Sequence, residues 1–457
     1  MTKNEVRSRV ENFKKIIGEK DEEIHAVLGY FSDTLIEKQI VLAENLIETG
    51  KATVLTGKVV GVKDNIMIEG EVATAGSKYL GNYVSTYTSS VMLKLLSEGV
   101  IPLVRTNMDE FAMGSSTENS AYGITRNPID PSRVPGGSSG GSAALLAYGG
   151  VDFALGSDTG GSVRQPASFT GLIGLKPTYG SVSRYGLMAM GSSLDQIGPF
   201  ANTASEAKEI FEAISFTDSH DATSLTAEER ENKTETLKKK IGVPKSFIFN
   251  DNVDKKIQDK FQSIIDDLAK DHEIVDIDIK ELPLALSAYY IVCPAEVSSN
   301  MARYDGIRYG MQKVGENIND TFINSRTEGL GDEVRRRILL GTYVLSSGYH
   351  DAYYNKAMDL RNILRRAFAK TFEAVDVIMT PMSPILPWKF GEKSDPIAMY
   401  LADIFSVTAN MTGNPAISVP AGTVSEGDVE LPFGIQFTAD NNREDTLFTY
   451  ASRVEVI

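Results

Sequence analysis

The chain has 457 residues, 42% of them hydrophobic, 8% aromatic and 23% charged, which excludes disordered, collagen-like and coiled-coil classes and indicates a globular protein. Its 61 acidic residues outnumber its 46 lysines and arginines, for a net charge of −15. That is a poor footprint for direct nucleic-acid binding, which needs clustered cations opposite phosphates. The single cysteine, Cys293, excludes an internal disulfide and a thiolate metal cluster and suits a reducing compartment. No apolar run approaches the roughly 20 residues that cross a bilayer, and Met1 to Lys15 has no apolar signal-peptide core. A soluble cytoplasmic protein without membrane association is expected.

Residues 1–50 are predicted as two helices, the second carrying Leu35, Ile36, Ile40, Leu46 and Ile47 near helical spacing before Gly50. Gly57 to Lys63 is a β-branched strand that runs into the turn signal Asp64-Asn65. A helix is predicted over 91–98 and a buried strand over 100–105. Between Gly136 and Gly198 lie 15 of the 39 glycines. Such a density costs backbone entropy and points to turns converging tightly. Inside it, 142–148 reads as helix and 151–156 as strand. Residues 204–281 form a more variable α/β stretch: a charged helix, a strand over 240–249, a helix over 254–270 and a strand over 273–279. Long helices are predicted over 282–311 and 332–372, then strands at 375–380, 416–419 and 433–438 and a helix-like end. No repeat or linker divides the chain, so residues 1–457 are expected as a single domain, an α/β fold whose large mixed β-sheet carries helices on both faces.

The four histidines, His25, His220, His272 and His350, have no ligand spacing with one another or with Cys293. No metal site is expected. No phosphate-binding glycine motif appears either. Gly136-Gly-Ser-Ser-Gly-Gly-Ser142 can be read as the nucleophile elbow of an α/β-hydrolase around Ser138, but a loop, not a strand, precedes it. The plain reading is a linker, yet linkers do not run straight into Ala143-Ala-Leu-Leu-Ala147. Asp158-Thr-Gly-Gly-Ser162 follows a strand and precedes a segment that Pro166 can start as a helix. Its successive N–H groups could hold an oxyanion, or the stretch could be an ordinary glycine turn with a capping serine. Lys63 is either a strand-edge lysine or a base whose ammonium is destabilised. A serine nucleophile without a usable histidine needs such a base.

Taken together, Lys63, Gly136 to Ala143 and Asp158 to Ser162 resemble the amidase signature family, with Lys63, Ser138 and Ser162 spaced 75 and 24 residues apart. Met108 to Ser120, Arg133 to Gly136, Gly156 to Ala167, Gly174 to Gly180, Ser183 to Gly186, Ser193 to Pro199 and Tyr304 to Tyr309 are similar to one branch of it, the A subunits of aspartyl/glutamyl-tRNA amidotransferases. The similarity covers nearly the whole chain and weakens over 204–281 and at the end, where relatives carry the last helix further.

The resemblance implies the amidase signature fold and a catalytic group of Ser162 as nucleophile, Ser138 after a cis peptide bond as proton relay, and Lys63 as base. Thr159, Gly160 and Gly161, with Ser162 as a further candidate, would supply the oxyanion hole, while Ser139 and Ser142 would be capping or network serines. Arg337 would bind the glutamine α-carboxylate (Arg336 if the register slips by one), Asp403 the α-ammonium, and Tyr289 would line the pocket. The implied function is glutaminase, feeding ammonia to B and C partner subunits of a heterotrimer that amidates Glu-tRNA(Gln) or Asp-tRNA(Asn). ATP, Mg and most tRNA contacts are expected on a partner, with no cofactor in this chain. A stand-alone amidase using the same three residues is the alternative, and a non-catalytic binding protein the third possibility.

Overall fold

The structure, a computed structural model, describes residues 2–230, 236–392 and 396–455, so residues 231–235 of the variable stretch lie outside the described residues. Among these, eleven strands join one sheet: β1 (Val27–Tyr30), β2 (Val59–Lys63), β3 (Ile101–Thr106), β4 (Phe153–Asp158), β5 (Ile173–Lys176), β6 (Gln196–Ala201), β7 (Lys240–Val243), β8 (Glu273–Asp276), β9 (Val377–Pro381), β10 (Ala416–Glu426) and β11 (Val429–Ala439). Their spatial order is β1-β3-β2-β4-β6-β5-β10-β11-β9-β7-β8. Strands β3, β2 and β4 run parallel, as do β9, β7 and β8. Every pairing from β4 across to β9 is antiparallel.

Every residue of β2, β4, β5, β6 and β9 is buried, which requires both faces of the sheet to be covered. The helices Ser90–Ser97 and Gly140–Ala147 stand in the crossovers that lead to the parallel strands β3 and β4. A second apolar cluster, built on the helices Leu282–Asn300, Asp332–Leu345 and Lys356–Phe372, packs Tyr289, Val292, Val297, Val334 and Leu364 together. Lys63 and Asp158 end neighbouring parallel strands, so their side chains emerge at one edge of the sheet, where α/β folds place their sites. Among the described residues no helix is long and apolar enough to cross a membrane.

Several elements depart from the sequence expectation. Two helices do form before residue 50, Lys3–Ile24 and Asp33–Glu48, but β1 lies between them. The strand expected over 240–249 stops at Val243, because Pro244 has no N–H for the ladder, and Lys245–Ile248 turns into a short helix. The helix expected through 311 ends at Asn300 in a 3-10 turn, after which Gly306 and Gly310 take φ of 73° and 81°. The expected 332–372 helix is broken near Gly348, φ 85°, into Asp332–Leu345, a π-helical turn His350–Asn355 and Lys356–Phe372. An unforeseen helix, Ile318–Gly329, starts at Asn317, whose side chain accepts the Asp320 N–H at 3.0 Å. Strands β5 and β6 were also unforeseen, and β10 and β11 extend into one long hairpin.

Candidate active site

Lys63 closes β2 with no solvent exposure. Its Nζ lies 2.8 Å from the Ser138 Oγ, 2.9 Å from the Ser157 Oγ and 3.3 Å from the Ser157 carbonyl oxygen. Burial pushes the Lys63 ammonium down to about 7, against the pull of Asp109, Asp158 and Asp195. An amine near its neutral form beside a hydroxyl is a competent proton acceptor. The Gly137–Ser138 peptide is cis. Gln165 holds that segment by accepting the Gly137 N–H at 2.9 Å, and the Ser138 carbonyl accepts the Asp109 N–H at 3.1 Å.

The loop into Ser138 is not a strand, and the His220 ring pairs with Asp218, so the hydrolase-elbow arrangement is not built. Ser139 precedes the helix Gly140–Ala147 without capping it by its side chain. Its hydroxyl donates to the Ser157 carbonyl at 3.2 Å, and that of Ser142 donates to the Leu155 carbonyl at 2.9 Å. Both are network serines.

Ser162 reaches the same place from β4. Its carbonyl accepts the Ser139 N–H at 3.2 Å, and the residue keeps 8% exposure, whereas Lys63 and Ser138 have none. No hydrogen bond joins the Ser162 and Ser138 hydroxyls among the described residues. The turn before Ser162 is held by Asp158, buried with Arg164, which gives it Nε and Nη2 hydrogen bonds at 3.1 and 2.9 Å. Burial alone would raise the Asp158 carboxyl, but Arg164 and Asn410 hold it below the usual carboxylate range.

Asp158 Oδ1 also accepts the Gly161 N–H at 3.0 Å. In this structure the Gly161 donor is engaged inside the turn, because the aspartate side chain folds back three residues to cap it. The N–H groups of Thr159, Gly160 and Ser162 are the ones left unengaged among the described residues. Gly160 and Gly161 allow close approach instead. A Cβ on Gly160 would come within 2.5 Å of the Tyr289 hydroxyl, and one on Gly161, at φ 131°, within 2.5 Å of the Ser406 Oγ.

The helical layer supplies the other wall. Tyr289 is buried, with its hydroxyl pressed against the Gly160 turn. Arg337 is 3% exposed, whereas the Arg336 side chain is 47% exposed, which settles the register in favour of Arg337 as the inward residue. Its Nε donates to Glu333 at 2.7 Å, and its guanidinium lies 5.7 Å from the Tyr290 ring centre and 5.6 Å from that of Tyr400. Burial acts to lower the Arg337 value, and Glu333 together with Tyr290, Tyr289 and Cys293 outweighs it and keeps the cation. Asp403 is 7% exposed and accepts the Ser115 hydroxyl at 2.9 Å and the Tyr290 hydroxyl at 3.0 Å. Burial pushes its carboxyl up to about 7, only partly offset by these bonds and by Arg337.

Sequence reasoning missed Ser157, Ser115, Tyr290, Asp109, Asp195 and Ser406. Asp109 accepts the Thr117 and Asn119 N–H groups, and Asp195 accepts the Thr159 hydroxyl at 2.7 Å. Ser406 donates to the Gly160 and Asp403 carbonyls, joining the turn to the Asp403 segment. Ser115, Asp109, Ser157 and Asp195 sit inside the quoted motifs, which was the available signal. Among the described residues no three His, Cys, Asp or Glu side chains are grouped as metal ligands.

With this geometry in hand, a family profile described as Amidase matches residues 9–448. The A subunit of glutamyl-tRNA(Gln) amidotransferase from Caldanaerobacter subterraneus subsp. tengcongensis is 48% identical over 449 residues, covering 96% of this chain and 90% of that protein. The Alkaliphilus metalliredigens protein of the same name is 46% identical over 458 residues, covering 98% and 92%. The solved structure of the corresponding Thermotoga maritima protein, also a glutamyl-tRNA(Gln) amidotransferase A subunit, superposes with a TM-score of 0.80 at 37% identity, covering 99% of this chain and 94% of that one. Profile, relatives and fold agree: the chain belongs to the amidase signature family, with amidotransferase A subunits among its near relatives.

Proposed function

We propose that this chain is the glutamine-hydrolysing A subunit of a tRNA-dependent amidotransferase, folded as one amidase domain. The observation that carries the chemistry is the buried Lys63 amine 2.8 Å from the Ser138 hydroxyl, directly behind the turn that presents Ser162. The choice of glutamine is supported by Arg337 and Asp403. One cation and one anion, both buried near Tyr290, match the two charged ends of a zwitterionic amino-acid amide, whereas an apolar amide would engage neither.

Ser162 Oγ attacks the side-chain carbonyl carbon of glutamine while its proton passes to Ser138 and the Ser138 proton passes to neutral Lys63. The Ser162 hydroxyl takes up its bond to Ser138 with substrate in place, as catalytic hydrogen bonds commonly tighten only then. Thr159 and Gly160 N–H groups, with that of Ser162, receive the oxyanion. The carbon–nitrogen bond then breaks, and the relay returns the proton to the departing nitrogen as ammonia. Water, deprotonated by the same relay, attacks the acyl-enzyme and releases glutamate. Tyr289 limits the pocket beside Gly160.

Ammonia is useful only to a partner that activates a carboxyl group. The naming of the relatives as parts of an amidotransferase, together with the −15 charge of this chain, supports a division of labour in which ATP, Mg and tRNA are handled by a B subunit. With a small C subunit the assembly is a cytoplasmic heterotrimer that amidates Glu-tRNA(Gln) or Asp-tRNA(Asn), and this chain itself works without a cofactor. The test is fluorophosphonate labelling and ammonia release from glutamine, by the chain alone and co-expressed with its partners, in parent and Ser162→Ala. Labelling and glutaminase activity are expected only with Ser162. Equal labelling of the variant overturns the nucleophile, and fast partner-independent hydrolysis of aryl or alkyl amides with none of glutamine makes it a stand-alone amidase.

A further inference from the structure

Gly341 sits inside the helix Asp332–Leu345, buried, with right-handed backbone angles. Glycine is among the poorest helix formers, and no left-handed turn requires it here. The reason for it is space. A Cβ at 341 would overlap the Pro294 carbonyl oxygen, fall 2.5 Å from the Pro294 carbonyl carbon and 2.8 Å from the Ser298 Cβ. Pro294 is itself anomalous, a proline inside the helix Leu282–Asn300, where it removes the hydrogen bond to the carbonyl four residues back. That carbonyl belongs to Tyr290.

One helical turn separates Gly341 from Arg337 and Pro294 from Tyr290, so each pair shares a helix face. The backbone-to-backbone approach of 341 and 294 therefore fixes the gap one turn away, where the Arg337 guanidinium lies 5.7 Å from the Tyr290 ring and the Tyr290 hydroxyl holds Asp403 at 3.0 Å. Across the same crossing the Ser298 and Thr342 hydroxyls share a hydrogen bond of 2.9 Å.

We propose that the contact of Gly341 with the Pro294 carbonyl is a specificity-determining spacer that sets the reach of Arg337, and with it affinity for the substrate's α-carboxylate. The proposal rests on the glutamine reading above. Gly341 is a positioning residue, acting only through Arg337, and the reacting atoms at Ser162 are untouched by it.

The experiment compares parent and Gly341→Ala, as the full chain co-expressed with its partners, on L-glutamine and on the analogue in which CH2OH replaces the α-carboxylate. Ammonia release is read in both cases. KM for glutamine is expected to rise about tenfold with kcat within about twofold, in line with the cost of misplacing a binding group by a fraction of an ångström. KM for the alcohol and the rate of Ser162 labelling by fluorophosphonate are expected to stay as in the parent. The double variant Ser298→Ala/Thr342→Ala removes the solvent-facing bond across the crossing and the bond from Thr342 to the Ile338 carbonyl within its own helix, and is expected to raise the glutamine KM alone by about twofold to threefold. Equal rises for both amides, or a glutamine KM unchanged in both variants, overturn the spacer. A parent that releases no ammonia from glutamine but hydrolyses other amides overturns the glutaminase reading instead.

Discussion

Lys63 offers its partners two N–H groups and one lone pair when neutral. With the Ser157 carbonyl and hydroxyl oxygens taking the N–H groups, the lone pair faces the Ser138 hydroxyl. Asn65 supports this by donating to the Ser157 Oγ at 3.0 Å. Burial brings Lys63 and Asp403 both to about 7, from opposite sides: it lowers the ammonium and raises the carboxylate. The proposed mechanism needs Lys63 deprotonated and Asp403 ionised, and each condition is met as pH rises. Log kcat/KM for glutamine is therefore expected to fall below about pH 7 with a limiting slope near two. An amide without an α-ammonium, indifferent to Asp403, is expected to fall with a slope near one. A pH profile with parallel slopes for the two substrates would contradict the pairing of these roles.

The β4 segment, its glycine turn and the helix Arg164–Thr170 form one unit around a buried ion pair. Asp158 binds the Gly161, Val163 and Arg164 N–H groups as well as the Arg164 guanidinium, and Arg164 also donates to the Ser406 carbonyl at 3.0 Å. Replacing Arg164 by methionine keeps the volume but strands a buried carboxylate, and is expected to cost about 3–5 kcal/mol of unfolding free energy. Chemical denaturation measures this; a loss under about 1 kcal/mol would mean that Asp158 finds another partner. The motif made this unit visible in sequence, because strand, glycines and Pro166 are all local signals.

Strands β5 and β6 left no such signal. β6 carries Gly198 and Pro199 in the middle of the sheet, residues that normally argue against a central strand, and β5 is four residues long. Tyr290 was illegible, and the part played by Ser157 within its motif was hidden, for a different reason. Neither residue type is unusual in its own segment, and their importance arises only when the Asp403 and Lys63 side chains arrive from distant parts of the chain. Family resemblance, by contrast, supplied Arg337 and Tyr289, whose local sequence reads as plain helix, and Asp403, an acid set among apolar neighbours. It also carried over Gly161 as an oxyanion donor, where nothing in the local sequence signalled the aspartate cap that engages its N–H.

Across the whole molecule, the excess of acid predicts how the chain meets RNA. With a net charge of −15, the isolated chain is expected to retain no tRNA on a filter at physiological salt, because there are too few cations to release counterions. Salt-dependent retention comparable to that of the assembled complex would show that this chain supplies the phosphate contacts. The α/β class and the sheet's mixed character were legible from alternating apolar runs. The order of its eleven strands was not, since it depends on pairings such as β4 with β6 and β5 with β10.

The site also divides along the chain. Lys63, Ser138 and Ser162 come from the edge of the sheet within the first stretch of the sequence, whereas Tyr289, Arg337 and Asp403 come from helices that follow β8 and from the segment before β10. Under the proposed assignment, bond breaking and substrate choice thus draw on separate stretches of the chain. Mutation can rework the later helices toward a different amide while the earlier residues go on cleaving, so a change of diet need not begin by dismantling the teeth.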